Sequence, residues 1–267
     1  MKKSLVKLQE EPNPRECYML ASWPGISNVS LLVSWYLRDH LQAREIGELD
    51  SASFFEPMGV EVKENVVEAP RFPQNKFYYW EDDKAETGLV LFQGEEQPAS
   101  GGYELVNQVL DVAKKLKVKR VFSCAAGIAR TYHRDQPRVW GVATEQKILE
   151  EMKEKGVVFR GDFRIAGLNG LFLGRARERG FEGACLLGEV PAYATQMANP
   201  RAAQVVLKAL IRLLEIEVDL SEISELAGRM EEEMDRVTKE ATVEFLDHFT
   251  EPIWEQGDDE EDEEDEE

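Results

Sequence analysis

Between Gly127 and Gly141 the chain gathers Arg130, Thr131, Tyr132, His133, Arg134, Asp135 and Arg138 into one polar stretch. A histidine close to a carboxylate is an elementary acid–base pair, and guanidinium groups spaced like these can clamp a phosphate or a carboxylate. His133 is therefore the candidate base, and Arg130, Arg134 and Arg138 are the candidate anion clamp. The bland alternative is a histidine facing solvent, with arginines that meet an acidic partner or the chain's own acidic surface. Glu189, Tyr193, Thr195 and Gln196 form a second polar group. Glu189 suits a catalytic carboxylate, or a simple pairing with one of the loop arginines. Asn28, Glu95 and Asn169 complete the set, each in a stretch that follows or opens an apolar segment.

The patterns that make chemistry specific are missing. No nucleophile elbow, no phosphate-binding loop ending in Lys-Ser/Thr and no dinucleotide fingerprint occurs. No histidine pair, Cys-x-x-Cys or Asp-x-Asp run in a folded segment offers a metal site, and no cofactor is expected. Cys17, Cys124 and Cys185 are odd in number, far apart and set in apolar runs, as befits buried thiols in a reducing cytosol.

The elements that would position these groups alternate. Tyr18–Trp23, Gly88–Phe92, Val118–Ala125 and Ala184–Leu187 are short apolar runs, the pattern of strands buried on both faces of a parallel sheet. Each leads through a turn or loop into a segment of helical periodicity. After the first, Ser27 or Asn28 is the expected cap of a helix carrying Val29, Leu32, Val33, Tyr36 and Leu37 on one face. After the last, Pro191 stops the strand, Asn199 caps the next helix and Pro200 takes the position where no N–H is needed. Thr144 is the expected cap of a helix through Lys155, residues 157–165 read as a short strand region, and Gly167–Gly170 opens a helix closed by Gly180. Residues 44–93 differ, with short strand-like pieces broken by Pro and acidic residues, which predicts an antiparallel excursion or edge strands with exposed aromatics. Loops at the carboxyl ends of strands in open α/β sheets are where ligands and partners dock, so Glu95, residues 130–138 and 189–196 fall in the right places.

Asp219 or Ser221 caps a final long helix, expected over 219–247. Along it Ile223, Ala227, Met230, Met234, Val237, Ala241 and Phe245 recur at alternating spacings of four and three. That is a 3.5-residue seam, suited either to a contact between subunits or to packing on the helix's own domain.

The net charge is −20 over 267 residues, but residues 258–267 are all Asp or Glu. That block repels itself, so 251–267 is expected to be a disordered acidic tail. No basic stripe marks a nucleic-acid face, no apolar run reaches the length of a membrane span, and the start lacks an apolar signal core. The expected layout is a lead-in over 1–14, a single α/β domain over 15–250 and the tail, in a cytoplasmic protein.

Several blocks in this order resemble the proteasome assembly chaperones, specifically prokaryotic relatives of the second assembly chaperone type. They are Gly25-Ile26-Ser27-Asn28-Val29, the Gln93–Tyr103 loop, the Thr131–Val142 loop, Ile165–Leu171, and Leu187–Pro191 followed by Asn199–Ala203. The resemblance implies a three-layer α/β/α sandwich of the purine nucleoside phosphorylase-like type with a mostly parallel sheet. It also implies a non-enzymatic, homo-oligomeric chaperone whose partner is a protein, proteasome-related or not. Asn28, Glu95, Thr131, His133, Arg138, Asn169, Glu189 and Tyr193 then become candidate recognition residues, and Ile223, Met230, Met234, Val237 and Ala241 an oligomer seam. Some members dock through a C-terminal hydrophobic–tyrosine–any ending, whereas this chain ends Asp265-Glu266-Glu267. The competing expectation is a small-molecule enzyme or sensor that takes a nucleoside or other anionic ligand near Asn28, Arg138 and Glu189.

Overall fold

The computed structural model describes the backbone of residues 5–57, 59–82 and 87–250, and side chains as far as Lys239. Its centre is four parallel strands: β2 (Glu16–Ser22), β7 (Thr87–Gly94), β8 (Arg120–Ala129) and β10 (Glu182–Pro191). They lie in the order β7-β2-β8-β10, with all carboxyl ends on one edge. Antiparallel strands extend both sides: β9 (Val139–Ala143) beside β10, and β6 (Asn75–Asp82), β3 (Arg44–Leu49) and β1 (Val6–Leu8) beyond β7. The expected excursion over 44–93 is thus the antiparallel wing of the same sheet, together with a separate two-stranded hairpin of β4 (Val62–Lys63) and β5 (Val66–Val67).

Strict alternation along the central strands builds two cores. Leu20, Leu91, Phe122 and Leu186 face α1 (Val29–His40), α3 (Gln146–Glu154) and α5 (Pro200–Leu214). Met19, Ala21, Val90, Phe92 and Val121 face α2 (Gly102–Lys115) and α4 (Gly167–Glu178). Both faces are dry, which is why these strands read as continuous apolar runs. A three-layer α/β/α sandwich follows, as expected. At Gly188 α5 lies close against the sheet: a Cβ there would stand 2.5 Å from the Ala202 carbonyl oxygen. All three cysteines are buried and unpaired, and burial pushes the Cys17 and Cys185 thiols up to about 12.

Five local expectations are corrected. Residues 6–8, inside the expected lead-in, form the edge strand β1. Residues 157–165 form no named strand and make only a bridge from Val158 to Trp140. The long loop is shorter than expected, because β8 runs on to Ala129 and β9 begins at Val139. Thr144 does not cap α3; its hydroxyl accepts from the Gly183 amide of β10 at 2.9 Å. Ser27 and Asn28 do not cap α1 by their side chains, because both adopt left-handed backbone, with φ of 54° and 50°. Asn199 does cap α5, accepting from the Ala202 amide at 2.9 Å.

The final helix, α6, spans Ser221–Thr250, and Asp219 takes the Ser221 amide and hydroxyl at its start. It packs on α5. Ile223, Ala227 and Met234 are buried there, Met230 is half-buried and Val237 is 44% exposed. The first half of the seam is therefore an internal contact with α5. The Ala241 and Phe245 side chains, and the acidic tail 251–267, lie outside the described residues.

Candidate functional site

The loop from β8 to β9 crosses over the carboxyl end of β10, because β10 lies between those two strands. Register then decides which side chains meet. Gly188 pairs with Val139, so Glu189 and Arg138 are the next rung, with the Glu189 amide donating to the Arg138 carbonyl at 3.1 Å. The Glu189 carboxylate is only 4% exposed and is fully subscribed. It accepts from the Arg138 amide at 2.9 Å, from Arg138 Nε at 2.9 Å and from Trp140 Nε1 at 2.8 Å, with Arg138 Nη2 at 2.7 Å. Burial pushes its pKa up, but donation by the Arg138 side chain and amide and by Trp140 outweighs it and holds the carboxyl below its ordinary value. Of the two alternatives raised for Glu189, the structure contains the pairing with a loop arginine.

His133 is nearly enclosed, its side chain 1% exposed. Its backbone amide donates to the Tyr193 hydroxyl at 2.8 Å, and its Nδ1 lies 2.8 Å from the same oxygen. Nε2 lies 2.8 Å from Asp235 Oδ1 on α6. One assignment satisfies every atom: the Tyr193 O–H donates to Nδ1, and the Nε2–H donates to Asp235. Asp235 also accepts from Arg134 Nε at 2.9 Å and from the Tyr132 hydroxyl at 3.3 Å. Asp135, expected as the partner of His133, instead folds the loop by accepting from the Thr131 hydroxyl and the Tyr132 amide. The histidine is thus a pin that fastens the loop and the turn at Tyr193 to the last helix.

Hydrogen bonds from Arg134 and then His133 hold the Asp235 carboxyl far below its ordinary value of 3.8. A depressed carboxylate stabilises the fold above its unfolded pKa, and that contribution is lost as the pH falls towards the folded value. Amide exchange near residue 235 should therefore speed up relative to the core between about pH 5 and about pH 3. Asp235→Asn should exchange fast at both pH values. If wild-type α6 stays equally protected at the lower pH, this contact does not hold the helix.

Asn169, at the start of α4, is also a structural clamp. Its Oδ1 accepts from the Trp23 amide at 3.1 Å and the Ser30 hydroxyl at 3.2 Å, and its Nδ2 donates to the Trp23 carbonyl at 3.1 Å. Gln97 repeats the device beside it, accepting from the Leu168 amide and donating to the Pro24 carbonyl. The Gly25–Asn28 turn is tied to the loop after β10 through the Ser27 amide and hydroxyl, which donate to carbonyls of residues 194 and 195. Asn28 itself is exposed and lines neither hollow described below. Glu95 stands apart, paired with Arg71 and the Gln74 amide beside the antiparallel wing.

What remains open above the strand ends is a groove. A cavity of about 780 Å³ runs from Gly25 and Ile26 across Ile128 to the 160–167 segment. A second, of about 610 Å³, is bounded by Arg130, Thr131, Arg138 and Glu189. Ile128 and Arg160 line both. Ile26 (42% exposed), Ile128 (48%) and Phe163 (39%) present apolar surface there. Trp140, Asp235, Arg160 and Phe163 were not singled out by the sequence reading. Asp235 carried a faint signal, an acidic residue next to Met234 of the apolar seam, but only the fold sets it against residues 133 and 134. Among the described residues no group of three or more His, Cys, Asp or Glu is placed to hold a metal ion.

The family model of the PAC2 family matches residues 19–238. An uncharacterized protein of Methanocaldococcus jannaschii is 26% identical over 245 residues, 90% of each chain. PbaB of Pyrococcus furiosus, an archaeal proteasome activator, superposes with a TM-score of 0.76 at 28% identity, over 89% of this chain and all of that one. PbaA of the same organism, an archaeal homolog of proteasome-assembly chaperone, shares the fold with a TM-score of 0.67 at 23% identity, over 88% and 96%. A Mycobacterium tuberculosis proteasome-assembly chaperone homologue shares it with a TM-score of 0.70 at 20% identity, over 82% and 94%.

Proposed function

The chain belongs to the PAC2 family, and from that membership and the geometry of its strand-end face we propose that it is a non-catalytic, cytoplasmic protein-binding factor of the assembly-chaperone kind, with a proteasome-related partner. The observation that carries this reading is how the polar candidates are used. Asn169, Glu189 and His133, the groups best suited to chemistry, are each saturated by the chain's own amides, hydroxyls and charged groups. A general base must be within reach of a substrate proton, and these three are spent on holding loops. What faces outward is apolar surface and arginine, the composition of a recognition face. The 28% identical PbaB, an archaeal proteasome activator, supports a proteasome-related partner.

We further propose that residues 15–250 act as one unit that self-associates, with 251–267 as a solubilising extension. For self-association, exposed Val237 on α6 offers an apolar contact among the described residues.

The test is affinity purification of the tagged full-length chain from its native cell, followed by mass spectrometry. Proteasome subunits or their assembly intermediates should co-purify at near-stoichiometric yield. A chain that recovers no protein partner, and whose melting temperature rises with a nucleoside or phosphate ester, would replace this reading with that of a small-molecule enzyme or sensor.

A further inference from the structure

We propose that the groove above the ends of β2, β8 and β10 binds an extended, acidic polypeptide segment with an apolar anchor residue, supplied by a protein partner. This rests on the protein-binding reading above and names the surface and the chemistry it selects.

The shape comes first. The two hollows adjoin through Ile128 and Arg160 and form one trough along the sheet edge. Each alone is of a size that takes a small ligand, so the pair gives a longer, open track suited to a stretch of chain. Its floor is apolar, from Ala125, Gly127 and Leu187 at the strand ends to exposed Ile26, Ile128 and Phe163. Isolated exposed apolar residues are ordinary, but a contiguous set in a concavity marks a binding surface.

Charge decides the occupant. The chain has 52 acidic residues against 32 Lys and Arg, and many of its basic groups are neutralised at short range: Arg44 by Glu10, Lys76 by Glu45, Arg120 by Glu151 and Glu182. Arg130, Arg160 and Arg164 are exposed, line the groove and have no carboxylate partner among the described residues. Arg160 is held in place by stacking on Trp140, 4.4 Å from the ring centroid. Arg138 adds a mostly exposed guanidinium at the far end, already shared with Glu189. Against these the lining holds two carboxylates, Asp162 and the saturated Glu189. A local excess of planar, bidentate cations over an apolar floor matches carboxylate side chains flanking a hydrophobic one. A small anion or a phosphate chain leaves the apolar floor unused.

The probe is a fluorescein-labelled peptide of about twelve residues, Glu and Asp around a central Trp-Leu pair, titrated against the full-length chain by anisotropy. Saturable binding is expected. It should weaken at least about tenfold in Arg130→Glu and in Arg160→Glu/Arg164→Glu, and by a similar factor when Trp-Leu becomes Ser-Ser. All three arginines are exposed, so unchanged melting temperatures will certify the variants. No binding by the wild type overturns the proposal. So does equal affinity for the Ser-Ser peptide, or displacement of the probe by inorganic phosphate or a single-stranded oligonucleotide at comparable concentration. A photo-cross-linker replacing Ile128 that captures residues 251–267 of the same molecule would also overturn it. Partner capture by Arg130→Glu separates the two claims. Undiminished recovery of proteasome subunits with no peptide binding sinks the groove and leaves the general reading standing, whereas no recovery by the wild type sinks the general reading.

Discussion

Glu189→Ala is expected to lower the free energy of unfolding by about 3 kcal/mol, measured by chemical denaturation at neutral pH. The carboxylate is almost fully buried and serves donors from three directions: the Arg138 amide, the Arg138 guanidinium and the Trp140 indole. Removing it leaves the indole N–H and the Arg138 amide without their acceptor, and leaves a cationic group beside the gap. Glu189→Gln should cost clearly less, because its amide oxygen still accepts one of these bonds. The contrast matters for function. A catalytic carboxylate held ready for substrate is an expense to the fold, and its removal leaves stability unchanged or raises it. A melting temperature that does not fall in Glu189→Ala would mean that the Arg138 pairing is not what the residue is for.

How far the sequence foretold this arrangement depended on whether the signal was local. The central strands were legible because burial on both faces writes an unbroken apolar run, and Asn199-Pro200 declared the start of α5 by cap chemistry alone. The antiparallel wing could be seen from its Pro-broken, acidic strand pieces. Strand β9 could not: Val139–Ala143 is five residues at the sheet edge, directly after a polar loop, and its pairing with β10 is a matter of register rather than of composition. Ser27 and Asn28 look like helix caps, but the Ser27 amide and hydroxyl are spent on carbonyls of residues 194 and 195, far along the chain. Thr144 was claimed by β10 in the same way. The partners of the candidate polar residues were not legible. His133 has Asp135 two residues away in sequence, yet its carboxylate comes from Asp235, about a hundred positions later, because α6 folds back over the loop. The seam of α6 was plain, but periodicity alone does not say which surface it covers. Burial of Ile223, Ala227 and Met234 against the chain's own α5 is tertiary information.

The largest loss of stability is expected at Asn169, which carries none of the charge that usually draws attention. Asn169→Ala should cost about 4 kcal/mol, because it strips the partner from the Trp23 amide, the Trp23 carbonyl and the Ser30 hydroxyl in a site 3% exposed, and each unsatisfied buried group costs on the order of 1–3 kcal/mol. The bond pattern explains why asparagine stands there. Trp23 follows the last residue of β2, so its N–H and C=O lie past the end of the strand ladder, and a side-chain amide supplies one acceptor and one donor in the geometry of a further strand rung. Asn169→Asp tests that pairing more finely than alanine does. The carboxylate keeps the acceptor but turns the donor into a second acceptor aimed at the Trp23 carbonyl, so the folded state favours the protonated acid. Its folded pKa then lies above the unfolded value of about 3.9, and the variant should be near its most stable below that value and lose stability as the pH rises through the folded pKa. Wild type carries no such ionisation at this position. Denaturation curves of Asn169→Asp and wild type between about pH 4 and about pH 8 should diverge as the pH increases. Parallel curves would mean that the side chain reaches solvent, and Asn169 would return to the set of groups free to meet a ligand in the groove it borders.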